Sequence, residues 1–504
     1  MPLARAWSVA LFGVDGVAVE IEADIGGGRP RTQIVGLPDA SLNEARERVR
    51  AAVRNSRRKW PDELVTLALS PAALPKGGAG YDVALACAVL VAAGLEPGER
   101  LEKTVLLGEL ALDGRVRTIR GVLPGLLAAR RAGLRRAIVP SAALAEAALV
   151  TDLEILGAEH LTEILDWLRG EPGTLREPAA HPPQPLGDIP DLVDVIGQPE
   201  ARWALEVAAA GGHHLLLTGP PGTGKTMLAQ RLPGLLPALT DEQALEVTAV
   251  HSIAGLLTPD SPLVTTPPFV APHHSSSVPA LVGGGVGLAK PGAISTAHNG
   301  VLMLDEACEF ATDRLEALRT ALEEGEVRLA RRDGVVRYPA RFQLVLATNP
   351  CPCAPPRDFD CTCTPIAKRR YMSRLSGPLL DRVDLRVRMR PITAMSRADV
   401  AQPEPTAAVR ARVVRARERA MERWKKHGWL TNAQAPGPTL RREFGLPRKT
   451  TAILDRGLDV GAVTARGADR CLRVSWTLAD LAEEDLPTSD HVAAALEFRD
   501  RRVA

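Results

Sequence analysis

Gly219-Pro220-Pro221-Gly222-Thr223-Gly224-Lys225-Thr226 stands between the apolar run His214–Thr218 and a stretch with helical spacing. The pattern is G-x-x-x-x-G-K-[ST], in the strand–loop–helix setting that its chemistry requires. Glycines let successive backbone N–H groups turn inward around a β-phosphate, and the helix N-terminus adds partial positive charge. Lys225 is then placed to bridge the β- and γ-phosphates of ATP, and Thr226 to ligate Mg²⁺. Downstream, Val301-Leu302-Met303-Leu304 forms an apolar strand from whose C-terminal edge Asp305 and Glu306 emerge. Ligands of open α/β sheets bind at that edge. Asp305 is expected to hold Mg²⁺ through water, and Glu306 to orient and polarise the attacking water. A third apolar strand, Leu344–Ala347, ends in Thr348-Asn349-Pro350. Asn349 is either a sensor of the γ-phosphate or lytic water, or the start of an Asn-Pro turn.

Apolar strands buried on both faces predict a mostly parallel sheet covered by helices, an α/β core. The chain has 504 residues, too many for one core, and two or three domains are expected. Met1 to about Gly170 alternates strands (Val17–Ile21, Leu64–Leu69) with helices (Ala40–Asn55, Val83–Ala93), an α+β pattern. Residues 171–190, rich in proline, predict an extended linker. Residues 191–395 carry the nucleotide motifs. Residues 396–504 predict a helical C-terminal domain around Val409–Lys426 and Ala468–Glu484.

A net charge of +2 advertises neither nucleic acid nor membrane, so such contacts must come from local patches. No apolar run approaches the roughly 18 residues of a membrane span. Met1–Ala10 lacks the pattern of a signal peptide, and a cytoplasmic protein is expected. Four of the seven cysteines, Cys351, Cys353, Cys361 and Cys363, crowd into one segment. Reduced thiols at this density suit a tetrahedral structural Zn²⁺; free thiols or a redox pair are the alternative. Cys87, Cys308 and Cys471 read as core.

Glu326–Arg341 predicts a hairpin turning at Asp333-Gly334, with Arg328, Arg331, Arg332, Arg337 and Arg341 against Glu326 and Asp333. Such a hairpin can track phosphates without reading sequence, or be a solvated basic face. The Gly283–Gly287 loop is a second element that could grip a substrate.

These motifs, in this order, resemble the AAA+ ATPases. Ala271-Pro272-His273-His274-Ser275, Gly283-Gly284-Gly285, Lys290-Pro291-Gly292, Ala297-His298-Asn299-Gly300 and Ser376-Gly377-Pro378-Leu379-Leu380-Asp381-Arg382 resemble the magnesium-chelatase-like branch. Leu67–Val89 and Gly108–Pro140 resemble the proteolytic domain of Lon. The whole chain resembles the YifB/ComM proteins, a resemblance that implies a hexameric DNA branch-migration motor of bacterial transformation, with recombination proteins as possible partners. By the same resemblance Arg382 is an arginine finger acting on the neighbouring subunit's γ-phosphate, unless it merely pairs with Asp381 or Asp384. Arg466 stands where the family has its C-terminal sensor arginine, with Arg470 and Arg473 as rivals. Laid on Lon, Gly80 falls at the serine position and Leu123 at the lysine position, so the protease dyad is missing. Lys76, in Pro75-Lys76-Gly77-Gly78, is the tempting substitute, and is expected to be solvated. A chelatase-type metal-insertion motor and an ATP-dependent chaperone or assembly factor are the rival functions.

Overall fold

The computed structural model describes residues 3–179, 189–258, 260–285, 289–331, 334–356, 360–375, 377–391 and 404–500. Residues 180–188 of the proline-rich linker, the boundary near residue 396, Ser376, Gly287, Asp333, Arg332 and the Arg331 side chain lie outside the described residues.

Seven strands form the first sheet, in the order Arg31–Val35, Leu64–Ser70, Asp15–Gly26, Leu3–Phe12, Thr104–Leu106, Arg136–Pro140, Glu154–Ala158. Leu3–Phe12 and Leu64–Ser70 pair antiparallel with Asp15–Gly26, and the remaining neighbours are parallel. Alternation sorts the side chains. Ala4, Ala6 and Ala10 share a core with helices Ala40–Asn55 and Asp82–Ala92, while Val9, Trp7 and Leu11 meet helix Val122–Arg131. A buried carboxylate ties one layer together. Asp82 accepts from Arg48 at 2.6 and 2.9 Å and from Leu110 N at 3.0 Å. Burial raises its pKa and the Arg48 hydrogen bond opposes that rise.

The second sheet has five parallel strands, in the order Phe269–Val270, Val301–Leu304, Gln343–Thr348, Leu215–Thr218, Leu385–Arg388. Leu215–Leu217, Val301–Leu304 and Leu344–Ala347 are wholly buried, as strands covered on both faces must be. One face packs on helix Pro199–Gly211 and the C-terminal helices, the other on helix Thr312–Glu324. Helices Thr406–Trp424, Arg448–Asp459, Ala465–Leu481 and Ser489–Asp500 form the C-terminal region. Trp424 anchors it edge-on to Phe444 and Trp476, with its indole N–H donated to Asn432. Cys87, Cys308 and Cys471 are buried, as the sequence predicts. No helix among the described residues is long and apolar enough to cross a membrane.

Where the sheet meets the C-terminal helices, His214 Nδ1 accepts from Leu344 N at 3.0 Å, and its carbonyl accepts from Asp384 N and Leu385 N. Burial pushes its imidazole down to about 4. The fold therefore demands neutral His214, while in the unfolded chain this group protonates near pH 6.5. As pH falls from about 6.5 towards 4 the unfolded chain gains a proton that the fold refuses, and stability drops by up to about 1.4 kcal/mol per pH unit. His214→Asn keeps an acceptor at the Nδ1 position and removes the titration. Urea unfolding at pH 7 and pH 5 should show a smaller loss in the variant; equal losses would remove His214 from the account.

Candidate active site

The loop Gly219–Thr226 leaves Leu215–Thr218, the fourth strand of the five-stranded sheet. Gly219 N donates to Thr348 O at 3.1 Å, and a Cβ at Gly219 would stand 2.6 Å from Met389 O, so only glycine fits. Gly224, at φ 86, makes the left-handed step into helix Lys225–Ala229. Lys225 is buried. Its Nζ donates to Gly219 O at 2.7 Å, Pro220 O at 2.8 Å and Asn349 Oδ1 at 3.2 Å. Burial lowers its pKa, and Asp305 and Glu306 act against that fall. The strand order thus brings Lys225, Asn349, Asp305 and Glu306 to one sheet edge.

Thr226 Oγ1 donates to Asp305 Oδ2 at 2.6 Å. The pair would suit a Mg²⁺ held by Thr226 and, through water, by Asp305, and that ion would supply charge against the β- and γ-phosphates. Glu306 N donates to Asp305 Oδ1 at 2.9 Å, which fixes the acid pair's geometry. Glu306 itself stands at φ 51, a left-handed conformation that costs a non-glycine residue about 1–2 kcal/mol. Its Oε2 lies 3.1 Å from His274 Nδ1. Sequence reasoning placed His274 in a family motif and gave it no contact to the acid; the signal available was a histidine just beyond the strand beside the acidic one. Gln198 was also missed. At φ 56, it donates to Thr223 O at 3.4 Å and Arg390 O at 2.6 Å, and so ties the loop to the last strand of the sheet.

Arg382 is not bonded to this cluster. Its guanidinium pairs with Glu323 and donates to Pro378 O. The expected alternatives, Asp381 and Asp384, are not its ion-pair partners. Asp384 is wholly engaged by Arg470 at 2.5 Å and His213 at 3.1 Å. Burial, then the charges of Arg319, Arg470 and Arg466, lower the pKa of Arg382. Among the three sensor rivals, Arg470 is tied to Asp384 and Arg473 donates to Ala435 O, whereas Arg466 is exposed near Arg382.

The basic hairpin forms as strands Glu326–Arg331 and Gly334–Pro339. Arg328 and Arg337 face each other in register and are both exposed. Glu324 and Glu326 neutralise Arg328, while Arg337 has no acidic partner among the described residues. Gly283 and Gly284 pair with Lys290 and Pro291 in a short ribbon.

Cys351, Cys353, Cys361 and Cys363 converge, with all four Sγ atoms within 4.8 Å of one another. Three of the separations are 3.4, 3.4 and 3.5 Å. Tetrahedral Zn²⁺ with sulfur at about 2.3 Å needs neighbouring sulfurs about 3.8 Å apart, so the set fits after a small expansion. The backbone N–H of Cys363 leads the groups that pull the Cys361 thiol down to about 7.

The N-terminal site residues differ from expectation at one point. Lys76 is not solvated: it is 1 % exposed, and its ammonium group donates to Gly36 O, Pro71 O and Leu74 O. Three donors meet three carbonyls, and burial lowers the pKa; Lys76 locks a turn. Leu123 is wholly buried and its N–H donates to Glu146.

The sequence pattern described as "Magnesium chelatase, subunit ChlI" matches residues 191–397. "Subunit ChlI of Mg-chelatase" matches residues 21–143, and "Magnesium chelatase, subunit ChlI C-terminal" matches residues 403–499. An uncharacterized protein of Mycobacterium tuberculosis, Rv2897c, is 59 % identical over 499 residues, covering 99 % of both chains. YifB of Escherichia coli is 39 % identical over 505 residues, covering 99 % of this chain and 97 % of its own. The competence protein ComM of Haemophilus influenzae is 39 % identical over 510 residues, covering 99 % and 98 %.

If Glu306 polarises the attacking water, Glu306→Gln should bind ATP normally and lose hydrolysis by about 10²-fold or more, since it keeps size but not charge. ATP titration and phosphate release on the purified variant check this. Turnover near that of the parent would take Glu306 out of the chemistry.

Proposed function

The chain belongs to the YifB/ComM family of magnesium-chelatase-like AAA+ ATPases, and we propose that it is a Mg²⁺-dependent ring motor that translocates on DNA. The work proposed is branch migration during recombination of incoming DNA. One observation carries the DNA reading: the exposed face of the Glu326–Pro339 hairpin presents Arg337 with no counter-ion among the described residues, in the same domain as the ATP site. An unneutralised guanidinium on an exposed ribbon suits phosphate contact. The similar ComM protein is described as a competence protein, which agrees with incoming DNA as substrate.

Arg382 supports the ring reading. It is held by Glu323 rather than by the cluster around Lys225, among the like charges of Arg319, Arg466 and Arg470. Arg466 is exposed beside it, and an anion brought there, such as the γ-phosphate held by a neighbouring subunit, would compete with Glu323 for Arg382. Arg382 and Arg466 are the residues proposed to reach it; a homo-hexamer is the assembly proposed. The second reading, a metal-insertion motor, is favoured by the matched patterns being those of a magnesium chelatase subunit.

Zn²⁺ in the cysteine set would fix the loop that leaves Asn349. Protein prepared without chelator should contain about one zinc per chain, with four thiols released on its removal. A folded, metal-free protein with four titratable thiols would sink that assignment.

The DNA reading is tested by replacing Arg331, Arg332 and Arg337 with Ala. DNA affinity should fall, and the log–log salt slope should shrink by about 0.7–0.9 for each phosphate that the variant no longer neutralises. The fall should not depend on sequence, because phosphates carry none. Hydrolysis without DNA should persist. Unchanged affinity and slope would make the hairpin a solvated face and leave the metal-insertion reading ahead.

A further inference from the structure

The basic hairpin does not stand on the ATPase core alone. Its side chains alternate: Arg328 and Arg337 face solvent, and Val327, Val336 and Tyr338 face inward. Val336 and Tyr338 share an apolar cluster with Ile253 and Ala289, and Val14, from the N-terminal sheet, packs against it. Tyr338 Oη donates to Ala289 O. The turn joining strands Leu3–Phe12 and Asp15–Gly26 presses on the hairpin backbone. A Cβ at Gly13 would stand 2.3 Å from Arg337 O.

The same domain holds the helix Asp241–Ala254, which lies between the phosphate loop and the acidic strand in sequence. Glu146 accepts from Ser252 Oγ at 2.5 Å and from Leu123 N at 2.7 Å, and Ala249 is part of the core built around helix Val122–Arg131. Towards the hairpin turn the seam opens into a cavity of about 280 Å³ bordered by Phe12, Leu37, Tyr81, Gly334 and Val336. The hairpin is held through Val336 and Tyr338, and beside Gly334 there is room.

We propose that the N-terminal domain is the seat of the basic hairpin. The Gly13-Val14 turn and the Glu146–Ser252 bond hold the ribbon and the helix beside it as one body with the seven-stranded sheet. A shift of the ATPase core during hydrolysis is then delivered to Arg337 instead of being dissipated as flexing of a thin ribbon. This gives a mechanical role to a domain in which Gly80 and Leu123 occupy the dyad positions. The coupling part rests on the reading of the hairpin as the DNA grip; the seating part does not.

Two variants approach the seam from opposite sides. Gly13→Val strains a backbone at φ 65 and collides with Arg337 O. Val336→Ser removes apolar packing from the hairpin side and leaves every arginine and the phosphate loop in place. Hydrogen exchange of amides 334–338 should quicken by about tenfold in Val336→Ser, the cost of freeing one buried valine. Hydrolysis without DNA should stay at the parent rate. DNA affinity should stay within about twofold, because the arginines that meet phosphate remain. Base pairs migrated per ATP should fall several-fold. Exchange unchanged in both variants overturns the seat, whatever DNA does. Faster exchange with unchanged base pairs per ATP overturns the coupling. A parent protein that binds no DNA overturns the DNA reading instead, and the exchange experiment alone then decides the seat.

Discussion

Asp384 has almost no access to water, and its carboxylate has to be satisfied by the protein alone. Burial would raise its pKa, yet Arg470, His213 and Arg473 together hold it well below the usual carboxylate range. Removing one partner of a buried ion pair costs about 3–5 kcal/mol, so this network is close to all-or-none. Its position explains why that matters. Asp384 N donates to His214 O beside the Leu215–Thr218 strand, Arg470 also donates to Arg382 O, and His213 Nε2 meets Thr477. Thr477 in turn accepts from Asn432, which with Arg423 engages Asp480. One carboxylate therefore welds the nucleotide sheet, the segment carrying Arg382 and the C-terminal helices. A change at the phosphate loop cannot move one of these without the others.

That weld gives the arrangement of the two arginines its meaning. Arg470 is spent on structure, which leaves Arg466, one turn earlier on the helix Ala465–Leu481, exposed near Arg382. Arg466 is exposed and Arg382 is held by Glu323 on a common scaffold. In the proposed ring both would respond to the same neighbouring nucleotide, which would link hydrolysis in one subunit to the lid of the next.

The fold's nucleotide core was legible because its signals are local. Val301–Leu304 is four apolar residues ending in two acids, and it is a strand with those bounds. Ala40–Asn55 shows helical periodicity and is a helix over the same residues. The acidic pair, Asn349 and the phosphate loop come together because parallel strands all deliver their C-terminal ends to one edge. What stayed hidden depends on how the chain folds back on itself, over short and long separations alike. A lysine in Pro75-Lys76-Gly77-Gly78 looks solvated until the turn folds and three carbonyls close on it. Glu323 for Arg382 and Glu306 for His274 are pairings between elements, and no spacing rule announces them. The hairpin's exposed arginines differ by local context: strand residue Arg328 meets Glu324 at the end of the preceding helix, and Arg337 has no acidic partner among the described residues.

The cysteine set occupies the most consequential loop for a similar reason. It begins two residues after Asn349, which touches Lys225, and ends just before helix Pro365–Met372. That helix leads to Arg374, whose guanidinium binds Cys308 O and Glu309 beyond the acidic strand, and then to Arg382. The chain here runs from the γ-phosphate side of one site to the group proposed to reach the next. A loop with few apolar residues would transmit little along this path, because its backbone could absorb any displacement. Four thiolates on one Zn²⁺ would replace a missing core with a rigid knot. The Cys-x-Cys spacing, too tight for the commonest zinc knuckles, would let such a knot close within a loop this short, directly behind Asn349.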